Sequence, residues 1–270
     1  MIAKMNPIKP DVTVVIPTFN DAYRLEEALD SLIQQTFWNW EAFIVNNIST
    51  DHTEEVVNSY RDKRITLENF ANHGIIAASR NLGIKLARAP MIAFLDSDDK
   101  WYPKKLEICL SKIEKGYDIV CHSERWYNER GLDRKIDYGP VVASNYKNLL
   151  FKGNCLSTSA VVVRRDLLKG VGGFSEDKNF VTAEDYDLWL KISAFGAKFG
   201  FINDVLGFYR LHQNSASRAI FKHRRAELCV VNKHIGLIKK KTRILVFRRK
   251  LKICLGLLKD FVYSSIWIRK

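Results

Sequence analysis

The chain has 270 residues, 47% of them hydrophobic and 27% charged, and a formal net charge of +13. This composition is that of a globular protein and excludes disordered and collagen-like chains. The five scattered cysteines, none spaced Cys-x-x-Cys, argue against a disulfide framework or structural zinc site and favour a reducing compartment. Because residues 1–10 carry two lysines and two prolines instead of an apolar leader, we expect no signal peptide.

Strands and helices are predicted to alternate in the first hundred residues. Short apolar runs predict buried strands over 12–16, 42–45, 65–67 and 91–95. Apolar residues at helical spacing predict helices over 21–35, 51–60 and 74–89. This alternation predicts a mainly parallel α/β sheet with helices on both faces.

Polar clusters follow three of these strands, at 18–20, 46–49 and 96–99. Ligands of such sheets bind beyond the carboxyl ends of the strands, so the clusters predict a binding edge.

The second half is predicted to be less regular. Strands are expected at 118–121, 160–163 and 208–210, a short helix at 185–194, an irregular polar connection over 124–144 and a turn-rich passage over 167–174.

The positive charge is concentrated at the end of the chain. Residues 218–270 hold 16 Lys and Arg against two acids, Glu227 and Asp260, so the preceding residues are nearly neutral. Within this tail an apolar stripe recurs at steps of three and four, which predicts a basic amphipathic helix; it comprises Ile244, Phe247, Leu251, Leu255, Leu258 and Val262. Charges at Lys252 and Lys259 argue against a membrane span. Binding to an anionic membrane surface and packing on the body both stay open.

The strand predicted over 91–95 leads into Asp96 and Asp98, whose side chains project to the same side because strand side chains alternate. Two converging carboxylates suit a hard cation such as Mg²⁺ or Mn²⁺ that also holds substrate phosphates. Helix capping is the alternative, but it needs only one of the acids at 96, 98 and 99. This position after a buried strand favours the metal site.

Further along, Glu184, Asp185 and Asp187 gather beside a predicted helix start. One of them could act as a general base, although capping alone would also explain an acidic first turn. His212 could bind a metal or a phosphate, or be an ordinary structural histidine. Arg80 could meet phosphate or form an ion pair.

Taken together, these segments resemble the family 2 inverting glycosyltransferases of GT-A fold. The matching motifs, in chain order, are VVIPTFN at 14–20, QQTF at 34–37, NHG at 72–74, SRNLG at 79–83, IAFLDSDD at 92–99 with Trp101 and Pro103, GGF at 172–174, EDYDLW at 184–189 and YRLH at 209–212. The resemblance covers about residues 11–217. It implies a Rossmann-like GT-A domain over 1–217, with a nucleotide-binding half at 11–100 and an acceptor half at 101–217, followed by the tail at 218–270.

For the nucleotide, the resemblance implies that Pro17, Thr18 and Asn20 lie in the loop that holds base and ribose, and that Arg80 also faces the nucleotide. Asn47 departs from the family pattern, in which an acid at this position accepts a hydrogen bond from uracil. An amide oxygen can still accept that bond, more weakly than a carboxylate. The departure does not affect the residues that match the family's metal ligands and catalytic base.

For the chemistry, the resemblance implies that Asp96 and Asp98 are the Asp-x-Asp pair and that Asp98 is the more direct ligand of Mn²⁺ or Mg²⁺. Asp185 is similar to the family's catalytic base. His212 matches a histidine that in some members reaches the metal or the diphosphate. We therefore expect a UDP-sugar donor and a glycan acceptor, carried on a lipid in surface polysaccharide synthesis, with the enzyme on the cytoplasmic face of the cell membrane.

Three alternatives to a glycosyltransferase remain to be considered. A nucleic-acid-binding protein would spread its basic residues over a folded face, whereas here they form one appendage, so we expect no nucleic acid partner. A catalytically inactive GT-A-like scaffold at the membrane is the second, and the departure at Asn47 keeps it open. A nucleotidyltransferase would share the Asp-x-Asp site but would not need the acidic pair Glu184 and Asp185.

Overall fold

The computed structural model describes residues 9–128, 131–212, 220–236, 245 and 247–256. Strands and helices alternate up to residue 94. They are β1 (Val12–Thr18), α1 (Ala22–Ile33), β2 (Trp40–Asn46), α2 (Thr53–Ser59), β3 (Ile65–Asn69), α3 (Ile76–Leu86) and β4 (Met91–Phe94). The strands and helices predicted for this half are confirmed, with ends shifted by a few residues.

The remaining part adds longer strands and more helices than the sequence indicated. It contains β5 (Lys100–Trp101), α4 (Lys105–Glu114), β6 (Ile119–Tyr127), β7 (Asp133–Ile136), α5 (Tyr146–Lys152), β8 (Val161–Arg164), α6 (Arg165–Gly170), α7 (Glu184–Ala194), β9 (Phe199–Arg210) and α8 (Ile220–Ile235), with single 3₁₀ turns at Val141–Ser144 and Lys178–Phe180. Residues 247–256 are also helical.

The prediction that 124–144 is irregular is wrong for its first half. The end of β6 pairs with β7 as an antiparallel hairpin, in which Glu124 lies opposite Ile136 and Tyr127 opposite Asp133. Most of its paired residues are charged, and Arg125, Asp133, Arg134 and Lys135 are exposed, so the hairpin has no apolar run that would reveal it. Backbone pairing with the neighbouring sheet provides the stability that local sequence does not.

In the described residues the strands form one sheet in the order β3-β2-β1-β4-β8-β6-β9-β5, with β7 paired to β6. The pairs among β1, β2, β3 and β4 are parallel, and β6 also runs parallel to β9. β8 lies antiparallel between β4 and β6 and joins the two halves. The carboxyl ends of β1, β2 and β4 therefore open on one edge, as predicted.

Helices cover both faces of this sheet, and β1 shows why. Its alternate residues Val12, Val14 and Ile16 pack in one apolar cluster with residues of α1 and α4, while Val15 packs in the other with residues of α3 and α7. All four side chains are fully buried. Because successive strand side chains point to opposite faces, a nearly continuous apolar run needs both layers.

The basic tail is divided between the core and the surface. From α8, Ala226, Val230 and Val231 join the same cluster as α7. In the helical segment 247–256, by contrast, Phe247, Leu251 and Leu255 of the predicted stripe are 65%, 44% and 54% exposed. The other stripe residues (Ile244, Leu258 and Val262) and Lys259 lie outside the described residues. Among the described helices, none has the length and apolar character needed to cross a membrane.

The close approach of α3 to β1 at Gly83 gives a test of the fold. A Cβ at Gly83 of α3 would stand 2.7 Å from Cγ2 of Val15 and nearer still to Cγ1. Gly83→Ala should therefore force β1 and α3 apart and lower the free energy of unfolding by about 1–3 kcal/mol. Urea denaturation would measure it.

Gly170→Ala is the matched control, since its Cβ would meet the Phe195 ring at 3.4 Å, an ordinary contact. We expect this control to lose little stability. Equal unfolding midpoints for the two variants would contradict the close α3–β1 approach.

Candidate active site

The turn after β4 is held by its last acid. The Asp99 side chain accepts hydrogen bonds from Ser159 Oγ (2.6 Å) and from the backbone N–H of Arg210 (3.0 Å). Asp99 is only 1% exposed, and burial raises its pKa well above the ordinary value. Asp99 therefore ties the turn to the loop before β8 and to the end of β9, and it is not open to a ligand. This leaves Asp96 and Asp98 as the carboxylates at the surface of the turn.

Asp96 and Asp98 are each about one quarter exposed, at 26% and 25% of their side chains. Oδ2 of Asp98 lies 2.8 Å from Nε2 of His212, so these two side chains are neighbours. Their role as metal ligands stays a prediction. Arg210 fixes the same turn, because its Nε donates to the Asp98 carbonyl at 3.3 Å and its Nη2 pairs with Glu27 at 2.6 Å.

Asp96 is joined to the other acidic cluster through Arg80 of α3. One end of the guanidinium donates to Asp96 Oδ1 at 2.6 Å and the other to Glu184 Oε1 at 2.7 Å. Arg80 is 3% exposed. Burial works to lower the pKa of Arg80, but the charges of Asp96 and Glu184 outweigh it and raise that pKa. A direct contact of Arg80 with a nucleotide stays a prediction, since both ends of the guanidinium are held by carboxylates.

Asp185 lies in the first turn of α7, next to Glu184. Its Oδ1 accepts the backbone N–H of Tyr186 at 2.7 Å, and its Oδ2 accepts Nδ2 of Asn154 at 3.1 Å. Burial, and next the charge of Glu184, raise the pKa of Asp185 to about 6. A carboxyl group with this pKa is ionised at neutral pH and still basic enough to accept a proton.

Asp187, the third acid of that motif, has a different position. It is fully buried, and its Oδ1 lies 2.9 Å from both Lys233 Nζ and His234 Nε2 of α8. Burial works to raise the pKa of Asp187, but the hydrogen bonds from His234 and Lys233 bring it below the ordinary value. Asp187 therefore fastens α8 to α7 and is not available to a substrate.

The predicted nucleotide loop lies at the ends of β1 and β2. Pro17 and Thr18 are buried, and Asn20 is exposed with a positive φ of 48°. The Asn20 side chain accepts the N–H of Thr50 at 2.7 Å, which ties the loop after β1 to the loop after β2. In the described part of the chain, Thr18 Oγ1 is buried without a hydrogen-bond partner.

Asn47 also connects two loops. Its Oδ1 accepts the N–H of Asn72 at 2.8 Å, which links the end of β2 to the residues before α3. One lone pair of that oxygen is therefore already used within the protein. The second lone pair and the amide N–H groups are what Asn47 could offer to a ligand.

The site contains a contact that sequence reasoning missed. Asn154, in the loop between α5 and β8, reaches Asp185 across 31 residues of sequence. No local pattern marks an asparagine in an irregular polar loop, because its role depends on where the fold brings α7. Ser159, in the same loop, was missed for the same reason.

Oxygen ligands from carboxylates fit Mg²⁺ or Mn²⁺, and the exposed acids of the turn provide them. Among the described residues, however, no three or more His, Cys, Asp and Glu side chains are arranged to hold an ion by themselves. An ion bound here would therefore need substrate phosphates and water to complete its coordination. This is the usual situation for Mg²⁺.

A sheet whose strand β4 ends in an Asp-x-Asp turn, with a carboxylate at a helix start beside it, defines the GT-A class of fold. The sequence profile described as Glycosyl transferase family 2 matches residues 13–172. The chain belongs to this family and is a glycosyltransferase.

One relative is an Escherichia coli protein named UDP-Glc:alpha-D-GlcNAc-diphosphoundecaprenol beta-1,3-glucosyltransferase WfgD. It is 32% identical over 225 residues, which cover 78% of this chain and 81% of WfgD. This similarity over most of both chains supports the family assignment.

Two solved structures have a similar fold. TarS 1–349 of S. aureus in complex with UDP-GlcNAc gives a TM-score of 0.67 at 23% identity, covering 82% of this chain and 65% of TarS. The mannosyltransferase PcManGT of Pyrobaculum calidifontis, in complex with GDP-Man and Mn²⁺, gives 0.69 at 19% identity, covering 96% and 75%. At these identities the likeness shows the fold.

The Arg80 bridge can be tested through stability. Arg80→Met keeps an unbranched apolar stem but removes the guanidinium, and so leaves Asp96 and Glu184 without their shared cation. Removing one partner of a buried ionic group is costly, so the free energy of unfolding should fall by about 3 kcal/mol in urea denaturation at neutral pH.

Arg125→Met is the matched control, because Arg125 pairs with Asp133 where both side chains are half exposed. This control should unfold close to the unmodified protein, since exposed pairs contribute little. A stable Arg80→Met variant would show that the bridge does not hold the site together.

Proposed function

We propose that this chain transfers a sugar from a nucleoside-diphosphate sugar, a UDP-sugar, to a hydroxyl of a glycan acceptor, with inversion and with the help of a divalent metal. The arrangement of Asp96 and Glu184 on the two ends of one buried guanidinium carries this proposal. Asp96 belongs to the Asp-x-Asp turn, and Glu184 is followed in α7 by Asp185, so the two contacts of Arg80 support a site that includes both acidic motifs. Such a site suits a reaction in which a diphosphate leaves on one side and a proton is removed on the other.

In the proposed reaction Asp185 accepts the proton of the acceptor hydroxyl. The hydroxyl oxygen forms a bond to the anomeric carbon while the bond from that carbon to the diphosphate oxygen breaks. One displacement from the opposite face inverts the anomeric centre. The hydrogen bonds from Asn154 and from the Tyr186 N–H orient the Asp185 carboxylate. A fixed orientation of the base toward the acceptor hydroxyl would contribute to the rate.

We propose that Asp98, His212 and Asp96 hold the metal, with Asp98 as the more direct ligand. Mn²⁺ or Mg²⁺ bound there would neutralise charge on the departing diphosphate. The 2.8 Å contact between Asp98 and His212 supports their acting together. Arg80 supports the same site by fixing one oxygen of Asp96.

For the donor, we propose that Pro17, Thr18, Asn20 and Asn47 surround base and ribose, and that Arg80 acts at the diphosphate end through Asp96. The links between the loops after β1 and β2, and from Asn47 to Asn72, support one continuous pocket edge. The name of WfgD specifies a UDP-sugar, and this similarity supports UDP over other nucleotides.

For the acceptor, we propose a lipid-linked oligosaccharide in surface polysaccharide synthesis, because WfgD is named for an acceptor on diphosphoundecaprenol. On this proposal residues 11–100 bind the donor, 101–217 face the acceptor, and the tail at 218–270 meets the anionic inner face of the cell membrane. The enzyme would work at that surface from the cytoplasm.

Asp185→Asn tests the base. Transfer should slow by about 10²–10⁴-fold, because the amide cannot accept the proton, while donor binding persists. In the unmodified enzyme the rate should fall as pH drops below about 6, since protonation of Asp185 removes the base. Initial rates across pH, together with donor titration by calorimetry, measure both effects.

Asp166→Asn is the control, an exposed acid in the first turn of α6. It should keep the rate and its pH profile. Equal loss of transfer and of donor binding in Asp185→Asn would assign Asp185 a structural role instead.

A thermal-shift panel of UDP, dTDP, GDP and CMP, with and without Mn²⁺, tests donor and metal together. Because stabilisation grows with ligand concentration over its Kd, even a weak site should show at millimolar concentration. We expect a shift with UDP that requires Mn²⁺ and disappears in Asp98→Ala.

The control variant Asp204→Ala changes an exposed acid on β9 and should retain the UDP shift. A larger shift with another nucleotide would replace UDP in the proposal. The absence of any shift would contradict the nucleotide site itself.

A further inference from the structure

The helical segment 247–256 has two unlike faces. Its inner face carries Arg249 and Ile253, which are 5% and 1% exposed. Its outer face carries Phe247, Leu251 and Leu255, and all three are exposed. A spacing of four residues aligns these three side chains along one side of the helix. This outer stripe (Phe247, Leu251 and Leu255) is an apolar surface on the described residues.

Positive charge borders the outer stripe. Arg248 and Lys252 each follow a stripe residue and are exposed. The sequence of 247–256 contains no acid, and Glu227, the one acid between 218 and 259, is paired with Arg249 on the inner face. The exposed side of this segment is therefore both apolar and basic. An interfacial helix on an anionic bilayer has this combination.

We infer that the outer stripe, with Arg248 and Lys252, docks this enzyme on an anionic lipid surface. The inference rests on the proposed function, because a lipid-linked acceptor is confined to such a surface. The sequence predicts the stripe but leaves open whether it packs on the body or meets a membrane; the structure leaves Phe247, Leu251 and Leu255 exposed and buries Arg249 and Ile253.

A second copy of the chain fits this face less well. Stable protein interfaces bury about 1,200 Å² or more, and three partly exposed side chains provide only a small part of that. A symmetric pair would also bring Arg248 and Lys252 of both copies together, and like charges across an interface oppose association. A bilayer needs no matching area and attracts both cations.

The inner face connects the docking helix to the candidate base. Arg249 pairs with Glu227 of α8 and lies beside Gly153, where a Cβ would come 3.2 Å from the guanidinium. The next residue, Asn154, donates to Asp185. The outer stripe and the turn that holds Asn154 therefore lie on opposite sides of the same helical segment. Docking would bring the acceptor side of the site close to the lipid surface.

Co-sedimentation of the full chain with vesicles tests the inference. Binding should be strong on phosphatidylcholine vesicles containing about one third phosphatidylglycerol and weak on phosphatidylcholine alone, and it should fall as salt rises. The triple variant Phe247→Ser, Leu251→Ser, Leu255→Ser should bind about tenfold less, and so should Arg248→Glu with Lys252→Glu.

Phe195→Ser is the matched control, because Phe195 is 64% exposed, lies at the end of α7 and is next to Gly170 of α6. It should bind vesicles like the unmodified chain. Thermal unfolding of every variant shows whether the helix stays packed. If the triple variant is destabilised, the charge variant, which leaves Arg249 and Ile253 in place, decides the matter.

Equal binding to both vesicle types, or unchanged binding by both variants, would overturn the inference. Light scattering that shows a dimer, lost in the triple variant, would assign the stripe to a second copy and also overturn it. The UDP thermal shift separates this test from the proposed function. The triple variant should keep that shift, whereas failure of the proposed function removes it from the unmodified chain as well.

Discussion

The organisation of the site depends on one buried cation. Arg80 is fixed in α3, and its two ends reach Asp96 after β4 and Glu184 at the start of α7. The turn after β4 and the start of α7 are far apart in the chain, and the two ion pairs of Arg80 hold them at a fixed distance. A buried guanidinium without its carboxylates would be very costly, and the same holds for the carboxylates. The proposed diphosphate site and the proposed catalytic base therefore depend on the same ion pairs, and a change at Arg80 would disturb both.

The acids around Arg80 have similar side chains but different environments. Asp99 is enclosed and holds the turn, Asp187 is enclosed and holds α8, and Glu184 holds Arg80. Asp98 and Asp185 keep part of their surface open, and burial raises the pKa of Asp185. The two acidic motifs are thus divided between acids enclosed in structural contacts and acids that stay partly exposed. This division follows from burial and neighbours.

The sequence predicted the strands and helices of the first hundred residues because the buried strands there are apolar runs that end in polar loops. It did not predict the β6–β7 hairpin, whose exposed charged residues follow no apolar pattern. It indicated Asp185 through the motif but gave no sign of Asn154, which reaches that residue only after α5 and α7 have packed. In the same way, the basic residues around Ala226 and Val230 gave no indication that these two side chains of α8 are buried. Contacts between residues far apart in the chain cannot be predicted from local sequence patterns.

The basic tail shows how one composition serves two purposes. Lys233 and Arg249 turn their charge inward, where Asp187 and Glu227 neutralise it. Arg248 and Lys252, in the same helical segment as Arg249, are exposed beside the outer stripe. A helix whose inner charges are paired can keep its outer charges for a partner without destabilising the fold. Because the inner contacts also adjoin the turn of Asn154, the surface that we assign to lipid and the carboxylate that we assign to catalysis are built on the same set of packed helices.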